Sequence, residues 1–559
     1  MSYSDVLIIG SGFGGAVMAA RLGAAAQAQL GGRATVRIVD RGDDPSGRLD
    51  PRSGGAPLNA EGNRFRQTLD PDYLSRLAEI HSDPEGSARR GAPGFNVLAG
   101  MGLGGGSNVY CGVSIRAPSQ AFERARGGRR LWPSSWSRAA LDPYYARVEA
   151  RLKVHQLAWT DAQVPHWQLA AKRDLVFAEG CRRIGATAVP LKVATDRDAN
   201  EGWWSQGQRF QGRQNLSLNY LLDAQQAGVQ LDSGVDVQTI APTSEGYVVQ
   251  AIDRRGSTPE PLSLECKILI ISGGAVRSSA LLLRSQAAFT GARALDRGTD
   301  QGQPLLGQGL SGNGDYGVAG LIGEELGLAV EGHKGKPISS VCATWLRDDG
   351  FLLLPFYAEP LYLALGRISS LQRPEDPRAR GRSSTAIATT TGGSREPDWG
   401  LAFKRRITQF GARVMTMGCL AFDDGEGRVV LSPAGDPEVR WDATAPETER
   451  RWSKALDRMQ QIYEALGGEV FLDNYRKDGT VNTSHPLGGC AMAERPEEGI
   501  VNPSGECFGN PGLFVVDGSI IPSALCANPS LTIAAVAEAV AERLVAGQGM
   551  PSLATRLGL

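Results

Sequence analysis

At 559 residues the chain is long enough for two to four compact units of about 150 residues each, and 59 Lys plus Arg against 60 Asp plus Glu leave a formal net charge of -1. So balanced a charge sets up no field to draw in nucleic acid or an acidic membrane surface, and neither is expected as a main partner. Eight cysteines stand singly, without a CxxC pair, and no window approaches the ~20 apolar residues of a membrane span, so reduced thiols and a soluble cytoplasmic protein are expected.

The N-terminus, "MSYSDVLIIGSG", is broken by glycine too soon for a signal peptide. Its apolar run Val6 to Ile9 suits a strand buried on both faces, and an alanine-rich helix is predicted from about Ala16 to Gln29. A second strand, "TVRIVD", ends in Asp40. Between the first strand and the helix stands Gly10-Ser11-Gly12-Phe13-Gly14-Gly15, a GxGxxG turn. Gly10 lets the chain leave the strand sharply, Gly12 lets backbone N–H groups approach a pyrophosphate, and Gly15 lets the helix pack on the strand. Asp40 can accept hydrogen bonds from an adenosine ribose. It follows Gly15 by 25 positions, more than the roughly 20 expected, and the loop "GGRA" at Gly31 to Ala34 absorbs the excess. A dinucleotide site is the reading; a glycine turn without ligand is the bland alternative.

"NVLAGMGLGGGSNVYCGVSIRAP", Asn96 to Pro118, is a second glycine loop, with Gly102, Gly104, Gly105 and Gly106 before Ser107. A nicotinamide dehydrogenase has no need of it, whereas an extended FAD can be held between two such loops.

Five histidines are present, and "NTSHPLGGC" places His485 before Pro486, which biases the histidine toward an extended backbone. Its context alone leaves a loop or buried histidine and a proton-transfer group both open. His81, His155, His166 and His333 lie in polar or helix-end settings and read as solvated, although His166 beside Trp167 could reach a pocket.

The segment "CANPSLTIAAVAEAVAERLVAG" predicts a C-terminal helix with Asn528 as N-cap and Pro529 at N1. Ile533, Val536, Ala537, Val540 and Leu544 recur at helical spacing, and Gly547 is the stop. No His, Cys, Asp and Glu group has the spacing of a zinc or iron site, so no metal is expected, and there is no GxSxG elbow.

Four blocks in order along the chain resemble the glucose-methanol-choline (GMC) FAD-dependent oxidoreductase family, most closely its cholesterol oxidase branch. They are "GSGFGG" at 10–15; "GMGLGGGS" at 100–107 with "LWPSSWSRAALDPYYARVEARLKV" at 131–154; "CKILIISGGAVRSSALLLRS" at 266–285 leading to "GQGLSGNGD" at 307–315; and "SHPLGGC" through "LFVVDGSIIPSALCANPSLTIAAVAEAVAERL" at 484–544. The resemblance implies an α/β fold with a discontinuous Rossmann-like FAD domain, residues 1–44, 207–315 and 481–559, joined by the loop 96–118. A substrate domain on a large mixed or antiparallel sheet would take 45–206 and 316–480.

By the same resemblance Phe13, Gly14 and Asp40 meet the adenosine and pyrophosphate half, and Val237 meets the adenine. Gly104, Gly105, Gly106, Ser107, Asn108 and Val113 belong to the flavin-side loop, Gly518 sits against the pyrophosphate or flavin, and Asp517, Pro529 and Ser530 also belong to the cofactor site. His485 becomes the base that takes a substrate hydroxyl proton, and Asn528 its partner at the alcohol oxygen. Some relatives carry, at the position of Asn108, a histidine bonded to the flavin, so non-covalent FAD is expected; many have asparagine where Tyr110 stands.

The activity implied is oxidation of an alcohol, bulky and apolar or sterol-like, with oxygen or another acceptor taking the electrons. Near the stretch where sterol oxidases often place an isomerising glutamate the chain has Arg413 and no carboxylate; Glu359 in "LLPFYAEPLYLAL" could stand in, a strand-edge role being the other reading, and ring isomerisation is not expected. A flavin-dependent lyase or photodecarboxylase on the same fold is the alternative.

Overall fold

A computed structural model describes residues 2–47, 49–50, 78–83, 94–159, 165, 168–195, 213–327, 330–332, 334–357, 411–441, 444–473 and 480–559. Val6, Leu7 and Ile8 are fully buried because the strand Ser2–Ile9 lies inside a seven-stranded sheet. It runs parallel to Val36–Val39 on one side and to the end of Glu260–Ile271 on the other, with Ile9 level with Val39 and Ile271. Gln230–Asp232 extends the sheet beyond Val36–Val39. The long strand Glu260–Ile271 pairs antiparallel with Tyr247–Asp253 through its first half and parallel with Leu513–Val515 through Leu269 to Ile271. Distant parts of the chain therefore close one sheet, and the parallel strands all end on the same edge, where such sheets bind ligands.

The helix Phe13–Ala28 begins three residues before the predicted start. Phe13, Gly14 and Gly15 form its first turn despite poor intrinsic propensity, since tertiary packing overrides it. A Cβ on Gly14 would stand 1.8 Å from the Val516 carbonyl oxygen, and one on Gly15 1.9 Å from that of Gly10. The C-terminal helix Ser530–Ala546 packs across it, joined by the buried Glu538, which accepts from Arg21 (2.7 and 2.8 Å) and the Tyr220 hydroxyl (2.8 Å).

A second, six-stranded sheet is antiparallel throughout, in the order Glu469–Asp473, Tyr316–Leu321, Val414–Ala421, Phe351–Phe356, Ser340–Cys342, Ala188–Pro190. The helix Pro446–Ala465 covers it with Trp452, Leu456, Met459, Ile462 and Tyr463, all 2 % exposed or less. A small third sheet matters most for the site. Thr480–Thr483 runs parallel beside Gly94–Gly100, so the chain leading into His485 and the chain leading into the second glycine loop leave the sheet together.

Candidate active site

A cavity of about 460 Å³ opens where the parallel strands end, a size suited to a cofactor or small-molecule site. Gly10, Gly12, Phe13 and Gly14 form one side of it. Gly10 holds φ +93°, and its amide donates to Val39 O (2.8 Å), which turns the chain out of the strand and straight into the helix. No side chain caps that helix, so its first N–H groups and the positive end of its dipole are left for an anion. A Cβ on Gly12 would meet nothing within 4 Å, so the cavity itself fills that position.

Asp40 lines the cavity and also braces the turn. Its Oδ2 accepts from the Ser11 amide (3.0 Å) and hydroxyl (2.6 Å), and Oδ1 from the Gly42 amide (3.0 Å). The Ser11 hydroxyl oxygen accepts in turn from the Gly104 amide (3.0 Å) and ties the two glycine loops together. Val237, also at the wall, sits at a bulge in the strand Val235–Pro242.

The second loop presents Gly105 and Gly106 to the cavity, with Val113 and the Tyr110 ring beside them. Ser107, Asn108 and Gly104 do not line it, contrary to expectation. The positive φ of Gly104 (+102°) and Gly105 (+49°) winds Gly105–Asn108 into a tight turn whose polar side chains point into the protein. The Ser107 hydroxyl donates to Gly104 O (2.7 Å), and Asn108 Nδ2 donates to Met101 O (2.8 Å) while Oδ1 accepts from Asn215 (2.6 Å). Gly15 is likewise behind the wall, where its role is the helix packing already described. Tyr110 stands edge-on to Phe13 at 5.4 Å and its hydroxyl donates to Gln214 O (2.8 Å), which holds the ring at the cavity.

Asp517 and Gly518 also line the cavity. The Asp517 carboxylate takes four protein donors: the Gly274 amide (2.8 Å), Ser278 hydroxyl (2.5 Å), Ser519 amide (2.8 Å) and Ser519 hydroxyl (2.5 Å). Burial pushes its pKa up and these bonds pull against it. Its work is to fix the backbone around Gly518.

His485 and Asn528 meet at the cavity wall. Asn528 Nδ2 donates to His485 Nε2 at 2.9 Å, and the ring's Nδ1 donates to Asp315, 2.8 Å from each carboxylate oxygen. A carboxylate only accepts and an amide nitrogen only donates, so the ring carries its proton on Nδ1 and leaves a lone pair on Nε2. The His485 amide donates to the Thr483 hydroxyl (2.9 Å), which anchors the residue at the end of its strand.

Asn528 was expected to cap the C-terminal helix, but the helix starts at Ser530 with Pro529 in the cap position, and Ile533 N donates to Pro529 O (2.8 Å). Proline already in αR conformation supplies that geometry, which frees the Asn528 side chain for His485. Its Oδ1 is buried without a hydrogen-bond partner among the described residues, an orphan that a polar ligand group would satisfy. The N-terminus of this helix also has no side-chain cap, and Pro529, Ser530 and Ile533 line the cavity. Gly547 ends the helix at φ +71°, as predicted.

His81 departs from its solvated reading: it is 6 % exposed on the strand Ala78–Ser82 and lines the cavity, with Nε2 3.2 Å from Glu79. Glu79 also binds Arg277 (2.6 and 2.5 Å) and Arg41; against the penalty of burial, Arg277 and His81 hold its pKa well below the usual carboxylate range. His155 is partly exposed and near the Lys153 carbonyl. His166, His333 and Glu359 lie outside the described residues. Arg413 is not at the cavity, because its Nε donates to Ile322 O (2.8 Å) and it pairs with Glu324. Among the described residues no cluster suits a metal ion and no helix is long and apolar enough to cross a membrane.

Sequence reasoning passed over Asp315, although it ends the block "GQGLSGNGD", and it assigned nothing to Ser11 or Tyr110.

Residues 4–311 match one part, and residues 423–537 another, of the family described as GMC oxidoreductase. A long-chain-alcohol oxidase of Arabidopsis thaliana is 23 % identical over 468 residues, 81 % of this chain, and the match spans 59 % of that relative's length. A cholesterol oxidase of Mycobacterium tuberculosis is 35 % identical over 107 residues, 19 % of this chain and 17 % of its own. Among solved structures a pyridoxine 4-oxidase from "Mesorbium loti" superposes with a TM-score of 0.62 at 14 % identity, over 97 % of this chain and 99 % of its own. A fungal aryl-alcohol oxidase gives 0.59 at 16 %, over 96 % and 98 %.

Proposed function

The chain belongs to the GMC oxidoreductase family, and from that premise we propose that it binds FAD non-covalently and oxidises the CH–OH group of a bulky, apolar alcohol. The observation that carries the reading is the Asn528 Nδ2–His485 Nε2 contact (2.9 Å), a donor and an acceptor that an alcohol oxygen and its proton would take up by coming between them, on the wall of a cavity that also holds two glycine loops and two uncapped helix N-termini.

These features suit FAD. The turn Gly10 to Gly14 and the first amides of the helix Phe13–Ala28 would hold the pyrophosphate, Asp40 and Val237 the adenosine, and Gly105, Gly106, Val113 and Gly518 the flavin. Asn108, turned away from the cavity, offers no imidazole for a covalent link, which supports dissociable FAD. The membership of the two large sheets supports an FAD unit of residues 1–44, 207–315 and 481–559 and a substrate unit of 45–206 and 316–480. When bound, FAD supplies a two-electron acceptor for the hydride of the alcohol carbon.

The residues of the chain do the rest. The alcohol replaces the Asn528–His485 contact: His485 Nε2 takes the hydroxyl proton, and Asn528 Nδ2–H donates to the alcohol oxygen while that proton moves. The N-terminus of the helix Ser530–Ala546 places partial positive charge at the same end of the cavity, where it stabilises negative charge built up in the reaction. Val109, Tyr110, Cys111, Val113, Ile338 and Tyr357 bring no charged group to the wall, which favours an apolar substrate, long-chain or sterol-like. No isomerisation step is proposed. Oxygen or another acceptor would remove the electrons afterwards.

Anaerobic mixing of the flavin-loaded protein with 1-dodecanol, cholesterol and glucose tests this. Bleaching of the visible flavin band by the apolar alcohols is the expected result. Purification without flavin, or product formed without bleaching, would overturn it, the latter in favour of a lyase or photodecarboxylase.

A further inference from the structure

The turn Ser311–Asp315 is held from three sides. Ser311 and Leu487 exchange backbone hydrogen bonds (2.8 and 3.0 Å), two residues past His485. Asn313 stands at φ +57°, and its side chain grips the run before Asn528: Oδ1 accepts from the Leu525 and Cys526 amides (2.8 and 3.1 Å), and Nδ2 donates to Ala527 O (2.8 Å). The Gly314 amide donates to the buried Asp423 (2.9 Å). Asp315, so anchored, receives His485 Nδ1–H and the Ser484 amide (3.2 Å), with the Thr483 hydroxyl at 2.9 Å. It stands behind His485 and is not among the residues that line the cavity.

Resting on the reading of His485 as proton acceptor, we propose that Asp315 is a positioning residue: it fixes the His485 ring in the Nδ1–H tautomer and faces the positive ring formed when Nε2 accepts the alcohol proton. The O–H bond of the alcohol breaks, the Nε2–H bond forms, and the Nδ1 proton stays on the ring. Without an acceptor at Nδ1 the ring can rotate or shift its proton to Nε2, which removes the lone pair from the side facing Asn528. The same turn grips the segment carrying Asn528, so one short element sets the relative placement of both partners.

Nitrogen-15 NMR of histidine-labelled, FAD-loaded protein tests the assignment, with only five histidines to resolve and the His485→Ala spectrum to identify the signal. The parent should show a neutral His485 protonated on Nδ1, and Asp315→Asn should lose that tautomer while the other histidine signals stay in place. In parallel, anaerobic flavin reduction by 1-dodecanol should slow by about 100-fold or more in Asp315→Asn, with substrate affinity changed less than about threefold, and Asp315→Glu should recover part of the rate. Should Asp315→Asn fail to fold, the parent spectrum and Asp315→Glu carry the test. A parent ring protonated on Nε2, or an Asp315→Asn protein unchanged in tautomer and rate, would overturn the proposal. A tautomer that depends on Asp315 in a protein that no alcohol reduces would instead overturn only the proposed function.

Discussion

Asn528 and His485 are 43 positions apart, yet the amide nitrogen of one lies 2.9 Å from the ring nitrogen of the other. The contact comes from two chain ends set by different elements: a strand that stops at Thr483 and a helix that starts at Ser530. Replacing Asn528 with Ala removes the donor to the alcohol oxygen and the buried orphan Oδ1. Flavin reduction by 1-dodecanol should then fall by about 100-fold or more while bound FAD is retained, as read by stopped-flow absorbance and by flavin content.

Gly14→Ala tests the cradle. Its methyl group would sit 1.8 Å from Val516 O, backbone that cannot give way cheaply, and 2.7 Å from the Ser272 hydroxyl oxygen. A loss of about 3 kcal/mol or more of stability is expected, with lower FAD content, measured by denaturant unfolding and by flavin absorbance per chain.

Much of this cradle was legible in the sequence because it consists of glycine: a residue without a Cβ, set between a strand and a helix, marks a close approach, and Gly10, Gly14 and Gly15 all show one. His485 was legible through Pro486 and the glycines after it. The direction of side chains was not. Ser107 and Asn108 follow glycines whose positive φ turns them inward, and nothing in "GGGSN" records that sign. Asp315 reaches His485 across 170 positions through a turn held by Asn313, a contact made by tertiary structure alone. His81, in the polar stretch "EIHSDPEG", is buried because its strand pairs with Gly94–Gly100.

Glu426 gives a pH dependence of stability. Burial, with the neighbouring Asp423, pushes its pKa up from 4.5 to about 7. Between these values the unfolded chain has lost the proton that the folded protein keeps, so folding becomes less favourable as pH rises across that window. Glu426→Gln removes the group, and the fall in Tm from pH 5 to pH 7 should be shallower in that variant than in the parent, as followed by thermal melts across about that range. Equal slopes would assign the burial of Glu426 no part in the pH response.

The central claim is that His485 takes the proton, and anaerobic stopped-flow reduction of His485→Ala tests it most directly. The variant should bind FAD as the parent does, and the flavin should be reduced by 1-dodecanol about 100 to 10,000 times more slowly. Reduction at the parent rate with FAD in place would contradict the account and return His485 to the role of an ordinary loop residue.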